Sequence, residues 1–82
     1  MRYFIVTYYK KPNGQIDEAV SIAKKVKVSD QQTASVIMDF KEKKVMQCTV
    51  DGKKLDTDWD SLFGYYNQHY PTVMQRLLQE AA

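Results

Sequence analysis

One cysteine, one histidine, three glycines and two prolines are spread over 82 residues, and each shortage removes a class of protein. A lone Cys48 cannot close an intrachain disulfide, which points to a reducing compartment. A single histidine, His69, beside a single cysteine makes no zinc site. Gly14, Gly52 and Gly64 stand apart from one another, so there is no phosphate loop and no dinucleotide fingerprint. No serine lies in a nucleophile-elbow pattern. The apolar runs are far shorter than the roughly 20 residues that cross a bilayer, and no signal-peptide pattern opens the chain. Arginine is scarce as well. Ten of the twelve basic residues are lysine, which weakens a nucleic-acid reading because directed phosphate and base contacts favour the guanidinium fork.

What is present is the composition of a globular protein. Hydrophobic residues make up 44% and charged residues 27%, too apolar for disorder. The length suits a single domain over residues 1–82, expected to be soluble and cytoplasmic with no membrane association. A net charge of +2 hides a split: residues 1–54 carry an excess of basic side chains and residues 55–82 an excess of acidic ones. Such a split suits an anionic partner or a self-complementary molecule.

Arg2–Lys10 has the aromatic and β-branched composition of a strand, with Phe4, Val6 and Tyr8 on one face and Tyr3, Ile5 and Tyr9 on the other. A strand apolar on both faces is central or covered on both sides. Lys11-Pro12-Asn13-Gly14 reads as a turn. Ile16–Val28 then alternates, with Ile16, Val20, Ile22, Val26 and Val28 on one face, and completes a long hairpin. Residues 29–35 read as a loop, with Ser29 and Gln32 spaced for a capping box. A second hairpin joins Val36–Phe40 to Val45–Val50. If Met38 and Phe40 share a face with Met46 and Cys48, Phe40 pairs with Lys44 across a three-residue turn. Asp51-Gly52 is another turn signal, and Lys53–Leu55 a short return strand.

Beyond it the pattern becomes helical. Thr57 and Asp60 have capping-box spacing. Trp59, Leu62, Phe63, Tyr66, Tyr70, Val73, Met74 and Leu77 then keep one helical phase, which Pro71 interrupts as a kink or as the start of a second helix. The fold class is therefore α+β: an antiparallel sheet of about four strands in two consecutive hairpins, followed by a C-terminal helix kinked or broken at Pro71 and packed on one face.

Chemistry-bearing patterns are few. Asp56, Asp58 and Asp60 have the spacing that opens a calcium loop, but Ser61 and Asn67 stand where that motif needs glycine and glutamate. Helix capping accounts for the same aspartates. Cys48 lies on an apolar strand face, as a small hydrophobe does. No catalytic residues, metal or cofactor are expected. The expected function is that of a small non-enzymatic binding or assembly module acting through its surface, as a homodimer or on another protein. Tyr3, Ile5 and Tyr9 are the candidate self-association strip, because a sheet with helices on one side leaves that strip in water. Two copies would bury it by stacking sheets or pairing edges. The alternative is nucleic-acid binding by a basic rim. Strands running up and down in order would gather Lys10, Lys11, Lys41, Lys43 and Lys44 at one end.

Overall fold

The computed structural model describes residues 1–82. Its elements are β1 (Tyr3–Lys10), β2 (Ile16–Ala23), α1 (Val28–Thr33), β3 (Val36–Asp39), β4 (Lys44–Val50), β5 (Lys53–Lys54), α2 (Trp59–His69) and α3 (Pro71–Glu80). The strands form one sheet in the order β2-β1-β3-β4-β5, with every pairing antiparallel. The α+β class and the helices after the sheet agree with the sequence pattern.

The doubly apolar β1 is the middle of the sheet. It pairs with β2 from Tyr3↔Ala23 to Lys10↔Ile16, and on its other side with β3 from Tyr3↔Asp39 to Val6↔Val36. Gly14, at φ +88°, supplies the left-handed residue of the first turn.

β2 stops at Ala23 rather than running to Val28. After a bend at Lys24 and Lys25 the chain crosses the sheet as α1 and returns as β3 on the far side of β1. The hairpins are therefore not laid side by side in chain order, and β3 runs parallel to β2. The reason is the second face of β1. Ile5 and Ile37 lie on it, and the crossover brings Ala34 and Val26 against them. A straight continuation of β2 would have placed Val26 with Val20 and Ile22 on the first face. α1 is capped through Asp30, whose Oδ2 accepts the Lys27 N–H at 2.9 Å, not through Ser29 and Gln32.

The β3–β4 connection also departs from the expected three-residue turn. Asp39 pairs with Lys44 and Met38 with Val45, leaving four residues between the strands. This turn length puts Val45 on the core face. A β-bulge follows, since Ile37 pairs with Gln47 and Val36 with Cys48, so Met46 is the extra residue and is 40% exposed. The bulge restores the phase and returns Cys48 to the core.

α2 and α3 cover the first face. Asp58, not Thr57, is the N-cap of α2 and accepts the Ser61 N–H at 2.7 Å. Tyr70 breaks the helical run, and Pro71 opens α3 at a position that needs no N–H donor. The preceding residue is pushed out of helical geometry by the proline ring, so the result is a one-residue break, not a kink. The core joins Phe4, Val6, Val36, Met38, Phe40 and Cys48 of the sheet layer to Tyr66, Met74 and Leu77 of the helices. Aromatic rings set the seams: Phe4 meets Tyr66 edge-on at 5.1 Å and Phe40 meets Trp59 at 4.8 Å.

Candidate interaction surfaces

The strip expected to drive self-association is interrupted. Ile5 is only 6% exposed because Ala34 and the crossover lie over it. Tyr3 is half-buried, with the Arg2 guanidinium 5.0 Å from its ring centre. Only Tyr9 remains open, at 45% exposure, its hydroxyl 3.3 Å from Asp17 Oδ2. The face left bare by the helices is covered from within.

The expected lysine rim is also split. Because β3 descends alongside β2, Lys10 and Lys11 lie at the β1–β2 turn, while Lys41, Lys43 and Lys44 lie at the opposite end of the sheet. The crossover reverses the assumed up-and-down order. Lys41 instead shares a hollow with Arg2, Lys24 and Glu80, and Lys53 and Lys54 join Lys10 and Lys11 at the other end. Lys11 is the one lysine in an ion pair, 3.1 Å from Asp17.

Besides the outer sides of the two-residue β5 and of Lys44–Gln47 in β4, two longer-reaching stretches of strand edge are left without a neighbour. The outer side of β2 is one, since β2 ends the sheet. In an antiparallel ladder, alternate residues point their N–H and C=O to opposite sides. The Lys11 N–H bonds to the Gln15 carbonyl at 2.8 Å, which puts odd-numbered residues in the β1–β2 ladder. The backbone of Ile16, Glu18, Val20 and Ile22 therefore faces outward. Asp17 Oδ1 caps one of these groups by accepting the Glu18 N–H at 2.8 Å. No lysine, proline or bulge interrupts β2; the inward Glu18 and the Asp17 cap protect its first half, and the edge stays open at Val20 and Ile22.

The second stretch belongs to β1. β3 reaches only as far as Val36, opposite Val6, yet β1 continues to Lys10. The even-numbered Tyr8 and Lys10 aim their backbone groups into a slot of about 600 Å³ lined by Tyr8, Tyr9, Lys10, Ile16, Ser35, Val50 and Asp51.

Beside that slot the core ends in a group of tyrosines. The Tyr8 and Tyr66 hydroxyls are 2.9 Å apart. Burial, the hydrogen bond to Tyr8 and the negative charge of Glu18 hold the Tyr66 phenol far above its ordinary range. Burial raises Tyr8 and Tyr70 as well, Tyr70 also through Glu18. These phenols stay protonated at neutral pH and serve as hydrogen-bonding groups, not as bases. Glu18 lies opposite Tyr8 on the core face, and its Oε2 is buried with no partner. The sequence held the signal for it: Glu18 interrupts the face shared by Ile16 and Val20.

Burial pushes the Cys48 thiol up, away from the thiolate a nucleophile needs. His69 is exposed and rests against the Tyr65 ring at 4.6 Å. The Asp58 carboxylate is committed to the α2 cap, and nowhere do three histidine, cysteine or acidic side chains converge. No helix is long and apolar enough to cross a membrane. No family model matches the chain, and no curated protein or solved structure matches it.

Proposed function

We propose that this protein is a small non-enzymatic assembly module that forms a homodimer through β2. The observation that carries the reading is the open edge of that strand at Val20 and Ile22. Two copies related by a two-fold axis would pair β2 with β2 and extend the sheet across the dimer.

Charge selects the register. Asp17 and Glu18 lie toward one end of β2, and Lys24 and Lys25 follow its other end. An antiparallel pair centred on Ser21 sets Glu18 toward Lys24 and Asp17 toward Lys25 of the second copy. The same register places Val20 beside Ile22 of the partner on the core face, where the outward backbone groups of both can bond. The register centred on Val20 brings Glu18 against an isoleucine and loses this complementarity.

The test is Ser21→Glu. Ser21 is exposed, so the change leaves the monomer intact but brings two like charges together at the axis. Sedimentation equilibrium should give a dimer for the parent and a monomer for the variant at the same micromolar concentration, with thermal midpoints that converge on dilution as the parent dissociates. A monomeric parent, or a variant that still dimerises, removes the reading.

A further inference from the structure

The sheet contains a gap one strand wide. β1 runs on to Lys10 and β4 to Val50, while the strand between them begins only at Val36. Ser35 closes the base of the gap: its N–H donates to the Val6 carbonyl at 2.8 Å and its carbonyl accepts the Thr49 N–H at 2.7 Å. Beyond Ser35 the chain leaves the sheet for α1. Neighbouring strands lie about 4.8 Å apart, so β1 and β4 stand roughly 10 Å apart across one vacant strand position. That width admits one extended chain. A helix, about 10–12 Å across with its side chains, is too thick to lie between the two strands.

The lining specifies the chemistry of the occupant. Tyr8 and Lys10 present backbone donors and acceptors in strand geometry, and the group that complements them is another extended backbone. Three of the large apolar side chains most open to water gather here: Tyr9 at 45%, Ile16 at 66% and Val50 at 41% exposure. Lys10 lines the slot, and Lys53 and Lys54 follow Asp51 on β5. None of the three lysines is in an ion pair, and Asp51 is the only acidic residue in the lining.

From these features we infer that the slot receives one extended segment of a partner protein, with apolar and acidic side chains together on one strand face, by β-strand addition. Lys10 lies opposite Ile16 and Lys53 opposite Val50, so both lysines share the face of the apolar pair. The segment continues the line of β3, its backbone bonding to Tyr8 and Lys10. Its apolar side chains cover Ile16 and Val50, and carboxylates two residues along the same face meet Lys10 and Lys53. Ile16, at the start of β2, is the one residue this site shares with that edge, and it lies outside the Val20–Ile22 pairing, so the site stands or falls apart from dimerisation.

The probe is the decapeptide Val-Thr-Glu-Thr-Val-Thr-Glu-Thr-Val-Thr, which puts valine and glutamate on one strand face, titrated into the isotopically labelled full chain and followed by backbone amide resonances. Saturable shifts should centre on Tyr8, Lys10, Ser35, Val50 and Asp51. Lys10→Glu and, separately, Ile16→Glu should each weaken binding at least about ten-fold without moving the thermal midpoint. The same peptide methylated on every second backbone nitrogen should bind at least about ten-fold more weakly, as loss of backbone pairing requires. Shifts absent at millimolar peptide, shifts centred on Val20 and Ile22, or equal binding by the methylated peptide would each overturn the inference. Equal binding of the same decapeptide with lysine in place of glutamate would overturn its charge preference.

Discussion

Replacing Asp39 by asparagine exchanges one oxygen for an NH2 group in the one buried charged side chain. Its carboxylate accepts from Arg2 Nε at 2.8 Å and Nη2 at 2.7 Å, and from the backbone N–H of Lys41 at 3.0 Å and Glu42 at 3.3 Å. It therefore ties the start of the chain to the β3–β4 turn. Asparagine can keep the turn bonds through its carbonyl oxygen but must face Arg2 with a donor. Breaking a fully buried pair costs about 3–5 kcal/mol, whereas exposed pairs are worth about 1 kcal/mol or less. The Arg2 side chain is 33% exposed and regains water when the pair is lost, so Asp39→Asn should cost about 2–3 kcal/mol. For a chain of this length that lowers the thermal midpoint by roughly 10–20 °C.

A pH series provides the sharper check. The Arg2 hydrogen bonds hold the Asp39 carboxyl below its ordinary 3.8. A group depressed on folding contributes stability above its unfolded value and loses it as pH falls through the folded one. Urea unfolding followed by Trp59 fluorescence should show the full gap between parent and variant at pH 7, shrinking as pH drops below 3.8. A gap under about 0.5 kcal/mol at pH 7, or one that persists undiminished at pH 2, refutes the account of the pair.

Leu77→Ala, at a fully buried position beneath the helices, should cost about 2–4 kcal/mol in the same unfolding assay; less than 1 kcal/mol would mean that α3 is not closing the core. Deleting Met46 should be tolerated within about 1 kcal/mol, because it removes the bulged residue and leaves Val45 and Cys48 in phase on a regular strand. A strongly destabilised deletion variant would show that the bulge is needed for more than restoring register.

The sheet-and-helix architecture was legible because its signals are local. The doubly apolar pattern of Arg2–Lys10 marks a strand that must be covered on both sides, and the stripe from Trp59 to Leu77 survives the break at Pro71 because the break spends only one residue. The turn at Asp51-Gly52 was legible too, as both residues take positive φ, 52° and 73°. The path between β2 and β3 was not. Val26 and Val28 continue the alternation of β2 perfectly well, and only the need to cover Ile5 and Ile37, residues far away in sequence, bends the chain after Ala23. That one bend decides which lysines share an end of the sheet and whether Ile5 is exposed. Both candidate sites drawn from the sequence rested on it. The four-residue turn and the bulge at Met46 escaped for a related reason: two successive changes of phase cancel, and a pattern that counts faces cannot see a pair of shifts that restores itself.

β1 is the first strand of this stretch to leave the ribosome and the last to be fully surrounded. The β1–β2 hairpin can form once residue 23 is out, but a two-stranded hairpin is marginal in water. The second side of β1 must wait for residues 36–39, and its apolar face for Tyr66, Met74 and Leu77 near the far end. During synthesis the chain therefore carries an aromatic, β-branched strand whose apolar face stays uncovered through most of its emergence, a species prone to aggregation. Expression yield should consequently depend more on translation speed and chaperone capacity than the final fold would suggest. Stabilising the β1–β2 hairpin alone would do little, since it leaves the β3 side of β1 open until the crossover is complete.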